Sequence, residues 1–261
     1  MLRLIKYTVL TVLIIFSAKS FAQDAEELAK KLANPIASLI SVPFQNNFDF
    51  SIGANKGFKY TLNIQPVIPI SLSEDWNLIS RTILPVVSQS DVFGEGSSQS
   101  GLGDIVQSLW LSPTVSEIVW GVGPVLLIPT ATDDFLGGKK FGIGPTVVSL
   151  KQSGPWTIGL LANHIWSIAG DENRSDISST FFQPFISRTY KGGLSWTVAS
   201  ENTQDWKGKN FSGFAGAFVA QIIPIAGQLT QFSLGPKIYY GNSPLRPDWG
   251  LRFTAVLLFP K

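Results

Sequence analysis

The residues able to do chemistry are few. The chain has one histidine and no cysteine, which excludes a disulfide framework, a thiolate metal site and a metal site of several histidines. A Ser-His-acid triad would have to use His164. By alternation His164 shares a face with Trp156, Ile158 and Trp166, which reads as a histidine at a bilayer interface. No His-x-Ser arrangement stands beside it. A lipid-modifying hydrolase in the same membrane stays open as a second reading. Asp133-Asp134 and the Asp171, Glu172 and Asp176 cluster have the oxygen ligands calcium takes. They read more simply as solvated loop charge, facing lipopolysaccharide through divalent cations. Gly121-Val122-Gly123 and Gly142-Ile143-Gly144 lack the third glycine and the strand-turn-helix context of a phosphate loop; on an inward strand face they make room instead. No catalytic residue, cofactor or metal ligand is assigned, and the chain is not read as an enzyme.

The remaining polar candidates alternate with apolar residues. Lys59, Asn63, Gln65, Arg81, Asp104, Gln183, Lys237 and Arg252 all fall on the less apolar face of their segments. Their sum is basic, which predicts a weak preference for anions if they line a pore. Phe181, Phe185, Ile79 and Ile83 share those faces, so the interior is only partly polar.

The elements that would position these residues are strands. From Asn46 onward the apolar period is two. Phe58, Tyr60, Leu62 and Ile64 oppose Lys59, Thr61, Asn63 and Gln65; Trp249, Leu251 and Phe253 oppose Arg252 and Thr254. This dyad pattern is the signature of transmembrane β-strands. It predicts an all-β, antiparallel transmembrane barrel of about 12 strands, near residues 46–53, 57–68, 76–88, 102–112, 117–128, 140–150, 156–168, 178–190, 194–200, 209–222, 229–240 and 248–259. Short turns alternate with longer polar loops, as periplasmic turns and external loops do. Trp76, Trp110, Trp120, Trp156, Trp196 and Phe259 fall near one set of strand ends and Trp166 and Trp249 near the other, which predicts two aromatic girdles. Pro85, Pro124, Pro145, Pro184 and Pro236 argue against the model, because proline cannot donate to a closed ladder. They require bulges or shorter strands, and weakly paired strands would leave a side opening in the wall.

Before the strands, Leu28, Leu32, Ile36, Leu39 and Ile40 recur at helical spacing over residues 24–41, with Asp24 as N-cap, Glu27 three positions on and Pro35 as a break. The segment is expected to be a periplasmic or lumen-plugging helix. Arg3, Lys6 and the apolar run Tyr7 to Phe16 read as a secretory signal cleaved before Gln23. The division expected is signal peptide 1–22, N-terminal helix 23–45 and barrel 46–261. Removing three signal cations takes the net charge from +2 to about −1, which gives no basic footprint for nucleic acid. Charged residues are 15% of the chain, against roughly 25% in soluble domains, so apolar surface must be hidden. A soluble secreted β-sandwich is the alternative architecture.

Residues 32–45, Leu-Ala-Asn-Pro-Ile-Ala-Ser-Leu-Ile-Ser-Val-Pro-Phe-Gln, and the closing Pro247-Asp248-Trp249-Gly250-Leu251-Arg252-Phe253 with Leu257-Leu258-Phe259-Pro260-Lys261 resemble a family of bacterial outer-membrane transporter proteins. That family is similar to the phenol-degradation-pathway barrels, is sometimes mislabelled neuromedin U, and has a distant likeness to fatty-acid channels. Gly101-Leu102-Gly103-Asp104 and Gln183-Pro184-Phe185 carry the likeness inward. The resemblance implies a Gram-negative outer-membrane barrel passing small molecules, apolar ones included. The expected partners are outer-membrane lipid and lipopolysaccharide, the barrel-assembly machinery and small-molecule cargo. The ending Phe259-Pro260-Lys261 departs from the usual terminal aromatic.

Overall fold

The computed structural model describes residues 25–259. The expected signal peptide, its cleavage point and the capping Asp24 lie outside the described residues. Strand β1 (Ile40–Ile52) pairs with β14 (Trp249–Phe259) from Ile40↔Phe259 to Phe50↔Trp249, so the sheet closes on itself. Closure removes both edges, which otherwise offer unpaired backbone groups. Between them run β2 (Gly57–Ile64), β3 (Val67–Ser71), β4 (Trp76–Ser90), β5 (Ser98–Leu102), β6 (Ile105–Pro113), β7 (Val119–Ile128), β8 (Lys140–Ser153), β9 (Trp156–Gly170), β10 (Ser178–Thr189), β11 (Ser195–Asp205), β12 (Asn210–Ile225) and β13 (Gln228–Gly241), all antiparallel to their neighbours. β2 and β3 lie end to end along β4 in one register, and β5 and β6 follow one another along it. The result is a closed barrel of 12 staves with two extra strands from these divisions. A two-sheet sandwich is thereby overturned.

Several staves are longer than alternation implied. β1 starts at Ile40 rather than Asn46, because Ser41, Pro43 and Gln45 continue the inward face. β11 runs to Asp205, well past residue 200. One end of the barrel carries tight turns. At Ala226-Gly227 both residues have positive φ, 48° and 82°, the geometry a two-residue hairpin turn needs. The opposite end carries the longer loops 91–97, 129–139, 171–177 and 242–248.

At Pro85 the register along β4 slips by one residue, from Val86↔Leu102 to Ile83↔Val106, as a bulge requires; the other four mid-strand prolines keep the register. β6 pairs with β7 at Ser108↔Val125 and again at Leu111↔Val122, with the register kept across Pro124. β8 and β9 skip from Ile143↔Trp166 to Thr146↔Asn163 across Pro145. β10 and β11 skip from Phe182↔Asn202 to Phe185↔Ala199 across Pro184. β12 and β13 skip from Gly216↔Lys237 to Val219↔Leu234 across Pro236. Each of these four faces its missing donor toward one neighbour and leaves two residue pairs unbonded. Three of them follow glycine. A Cβ on Gly123, Gly144 or Gly235 would overlap the carbonyl oxygen of Leu109, His164 or Ala217 across the gap. Only glycine lets the strands draw that close.

The outer surface is apolar. Ile158, Val198, Val219, Leu234 and Ile238 are exposed around the wall, Ile238 at 68%. Aromatic residues flank this belt. At the turn end Trp76 meets Trp120 and Trp156 meets Trp196 in edge contacts of 6.0 and 5.5 Å, and Phe259 is exposed nearby. Trp166 and Trp249 are exposed toward the loop end. Trp206, which sequence reasoning left in a loop, bonds through its amide to Ser178, the partner of Trp166, and donates from Nε1 to Thr180 Oγ1 at 2.8 Å. Trp110 is the correction. It is fully buried, because Leu109 and Leu111 take the outward positions, and it donates from Nε1 to Thr146 Oγ1 at 3.2 Å inside the barrel.

Residues 25–32 form a helix with Glu26–Lys30 and Glu27–Lys31 ion pairs one turn apart. It ends before Pro35, as proline requires. Ala25, Leu28, Ala29 and Leu39 pack on the inward residues Ile222, Val256 and Leu258. Ile36 packs with Val67, Ile79, Trp110 and Val148. The segment therefore sits inside the wall at the turn end. Gly121 leaves room for it, with Trp110 Cβ 3.0 Å and Ile36 Cδ1 3.2 Å from where a Cβ would stand.

Candidate functional site: the barrel interior

Alternation along each stave turns every second side chain inward, and the polar ones converge in mid-barrel. Lys237 from β13 donates to Asp49 Oδ1 of β1 at 2.7 Å, to Asn47 Oδ1 at 3.2 Å and to Tyr239 OH at 2.8 Å. Tyr239 OH in turn donates to Asp49 Oδ1 at 2.7 Å. Arg252 from β14 bonds Asn47 Oδ1 through Nε at 2.8 Å and grips Glu201 of β11 with two nitrogens, at 2.7 and 3.2 Å. Two-point pairing of guanidinium and carboxylate fixes both geometry and charge. Phe214 carries both cations on its ring, Lys237 Nζ at 5.3 Å and Arg252 Cζ at 4.9 Å. Gln45 Oε1 accepts from Asn47, Asn63 and Gln65 at 3.2 to 3.3 Å.

Four cavities follow one another through this interior. The loop-end cavity, about 360 Å³, is lined by Lys59, Asn63, Lys237 and Arg252 among others. A second, about 330 Å³, holds Gln65, Arg81 and Gln183. Two smaller ones, about 210 and 200 Å³, are bounded on one side by the helical segment. Gln45, Arg81, Gln183, Glu201 and Arg252 each border more than one cavity and form the partitions. Of the residues singled out from sequence, Lys59, Asn63, Gln65, Arg81, Gln183, Lys237 and Arg252 thus share one interior. Asp104 does not join them. Its carboxylate accepts from the backbone amides of Ala131 at 3.1 Å and Gly138 at 2.7 Å, which clamps the 129–139 loop. It sits where β5 gives way to β6, so strand alternation does not govern its direction. Asn47, Asp49, Glu201 and Tyr239 escaped sequence reasoning. The first two alternate with Phe48 and Phe50, a visible signal; Glu201 lay beyond the assumed strand end.

His164 points outward beside Trp166, with ring centroids 4.1 Å apart. Its Nδ1 contacts Thr180 Oγ1 at 2.7 Å, the position a triad gives to a carboxylate, and its Nε2 meets Ser178 Oγ at 3.3 Å. This is a hydroxyl pair holding an aromatic ring; among the described residues no acid meets the imidazole.

No protein-family model matches the sequence, and no curated protein does. Among solved structures, an outer membrane channel from Pseudomonas putida F1 is similar, with TM-score 0.67 and 17% identity over 85% of this chain and 94% of that one. The two chains share a barrel fold. The β-domain of the Bordetella autotransporter BrkA follows, at TM-score 0.48 and 11% identity over 85% of this chain and 100% of that one. The outer membrane channel DcaP of Acinetobacter baumannii gives 0.38 and 11% over 85% and 96%. The last two are too distant in shape to argue from.

Proposed function

We propose that this chain is an outer-membrane channel through which small molecules, including partly apolar ones, cross passively. The carrying observation is the closed barrel that is apolar outside and polar within. An exposed belt of aliphatic side chains between two aromatic bands suits a hydrocarbon layer and its interfaces, and is costly in water. The chain of cavities supplies a path, and its partitions supply selectivity. The resemblance to the solved channel supports the same reading at the level of fold. In this reading the turn end faces the periplasm, the loop end faces outward, and residues 25–39 narrow the periplasmic mouth.

Purified protein in planar bilayers is expected to give small, discrete conductance steps. Deletion of residues 23–39 is expected to raise them several-fold, since the segment is held inside by side-chain packing and by hydrogen bonds from Gln152 to the Lys30 carbonyl and from Asn77 to Ser38, with no share in the ladder. A barrel that stays silent in both forms and passes no solute into liposomes would overturn the reading.

A further inference from the structure

We infer that Arg81 anchors a binding site for small amphipathic carboxylates in the mid-barrel cavity. The inference rests on the lumen being a permeation path and names what that path would hold. The first ground is charge. Asp49 is occupied by Lys237 at 2.7 Å and Glu201 by Arg252 at 2.7 Å. The two interior acids are thereby matched, which leaves the interior cations Arg81 and Lys59 in no ion pair among the described residues. Glu201 borders the same cavity as Arg81, but both its oxygens are turned to Arg252.

The second ground is an unmet donor. Arg81 Nε is buried with no hydrogen-bond partner, and its guanidinium lies 4.9 Å over the Trp110 ring. The planar fork is thus held in place by an aromatic face while Nε stays unmatched among the described residues. A carboxylate is the anion whose spacing fits such a fork at two points. The third ground is the shape of the cavity. Ile83, Val106, Ile165 and Phe181 make one wall apolar, while Gln45 and Gln65 line it with amides. Its volume of about 330 Å³ sits at the lower end of small-molecule sites. An anionic head on Arg81 with an apolar or aromatic body against Phe181 satisfies both walls. Lys59 lies in the loop-end cavity, which shares Phe181 with that wall but not Ile83, Val106 or Ile165.

The test uses the full chain in detergent micelles with 4-phenylbutyrate and its neutral counterpart 4-phenylbutyramide as probes, read by calorimetry and by Trp fluorescence. The acid is expected to bind saturably and at least ten-fold tighter than the amide, with an emission change from Trp110. Arg81→Met should weaken the acid at least ten-fold and leave the amide unaffected. Arg81→Lys should keep part of the affinity that Arg81→Met loses, and the outward Lys151→Met should bind the acid as the unaltered protein does. Equal affinity for the two probes, non-saturable uptake into micelles, or unchanged binding by Arg81→Met overturns the site. If Arg81→Met does not fold, the acid–amide comparison on the unaltered protein decides alone. A protein that conducts without discriminating acid from amide keeps the channel and loses this site; one that discriminates without ever conducting keeps the site and loses the channel.

Discussion

Glu201 is one of two carboxylates that balance the cations in mid-barrel, and Arg252 grips it with a side chain only 10% exposed. Removing one partner of a buried pair costs about 3–5 kcal/mol in a dry interior; the cavities on either side lower that figure here. Glu201→Gln is therefore expected to reduce the unfolding midpoint and to free a third unmatched cation. In any conducting form, the reversal potential under a salt gradient should move toward anions. An unchanged midpoint and an unchanged potential would show that the pair governs neither. At this scale the sequence is legible only where the strand limits are known. Lys237 and Arg252 stand out because their neighbours alternate cleanly. Trp110 was assigned by its nearness to a strand end, whereas the leucines on either side of it decide its direction. Glu201 was lost to an assumed loop, since nothing in Glu-Asn-Thr-Gln-Asp announces a strand.

The staves themselves were readable from period two, because each has one face in contact with a different medium. Their interruptions were not. A proline in a closed ladder forces either a bulge or a skipped pair, and the choice is made by the neighbour's backbone. The glycine before Pro124, Pro145 and Pro236 is the local sign that strands approach across the skip. Gly144→Ala sets a methyl against the carbonyl of His164 and should cost about 1–3 kcal/mol, as overpacking does. Urea unfolding followed by gel mobility would detect it, and an unaltered midpoint would mean the gap is slack. The loops depend on charge instead. Lys139 bonded to Asp134, the Asn173 amide on Asp171 and Lys140 bonded to Asp176 hold these three carboxyls below the ordinary aspartate range. A carboxyl depressed in the folded state contributes stability that is full above its unfolded value and lost as pH falls through the folded one. Amide protection in 129–139 and 171–177, measured relative to the intrinsic exchange rate at each pH, should fall from about pH 4 downward while the strands stay protected. Equal protection factors at neutral and acid pH would show that those ties do not hold the loops.

For the whole molecule, closure and stave number followed from the even alternation of turns and loops, and the outward belt from the poverty of charge. The position of residues 25–39 did not follow, because an amphipathic segment suits a rim as well as an interior; inward apolar residues at one end, Ile222, Val256 and Leu258 under the helix and Val67, Ile79 and Val148 around Ile36, resolve it. That position has a mechanical consequence. Leu39 is packed inside, and the next residue, Ile40, already pairs with Phe259 in the wall. No slack tether separates the cork from the hoop. Withdrawing the segment strips Val256 and Leu258 of their cover and pulls on the clasp between the first and last staves. Unstoppering the mouth and fraying the seam are therefore coupled, and by linkage each makes the other easier.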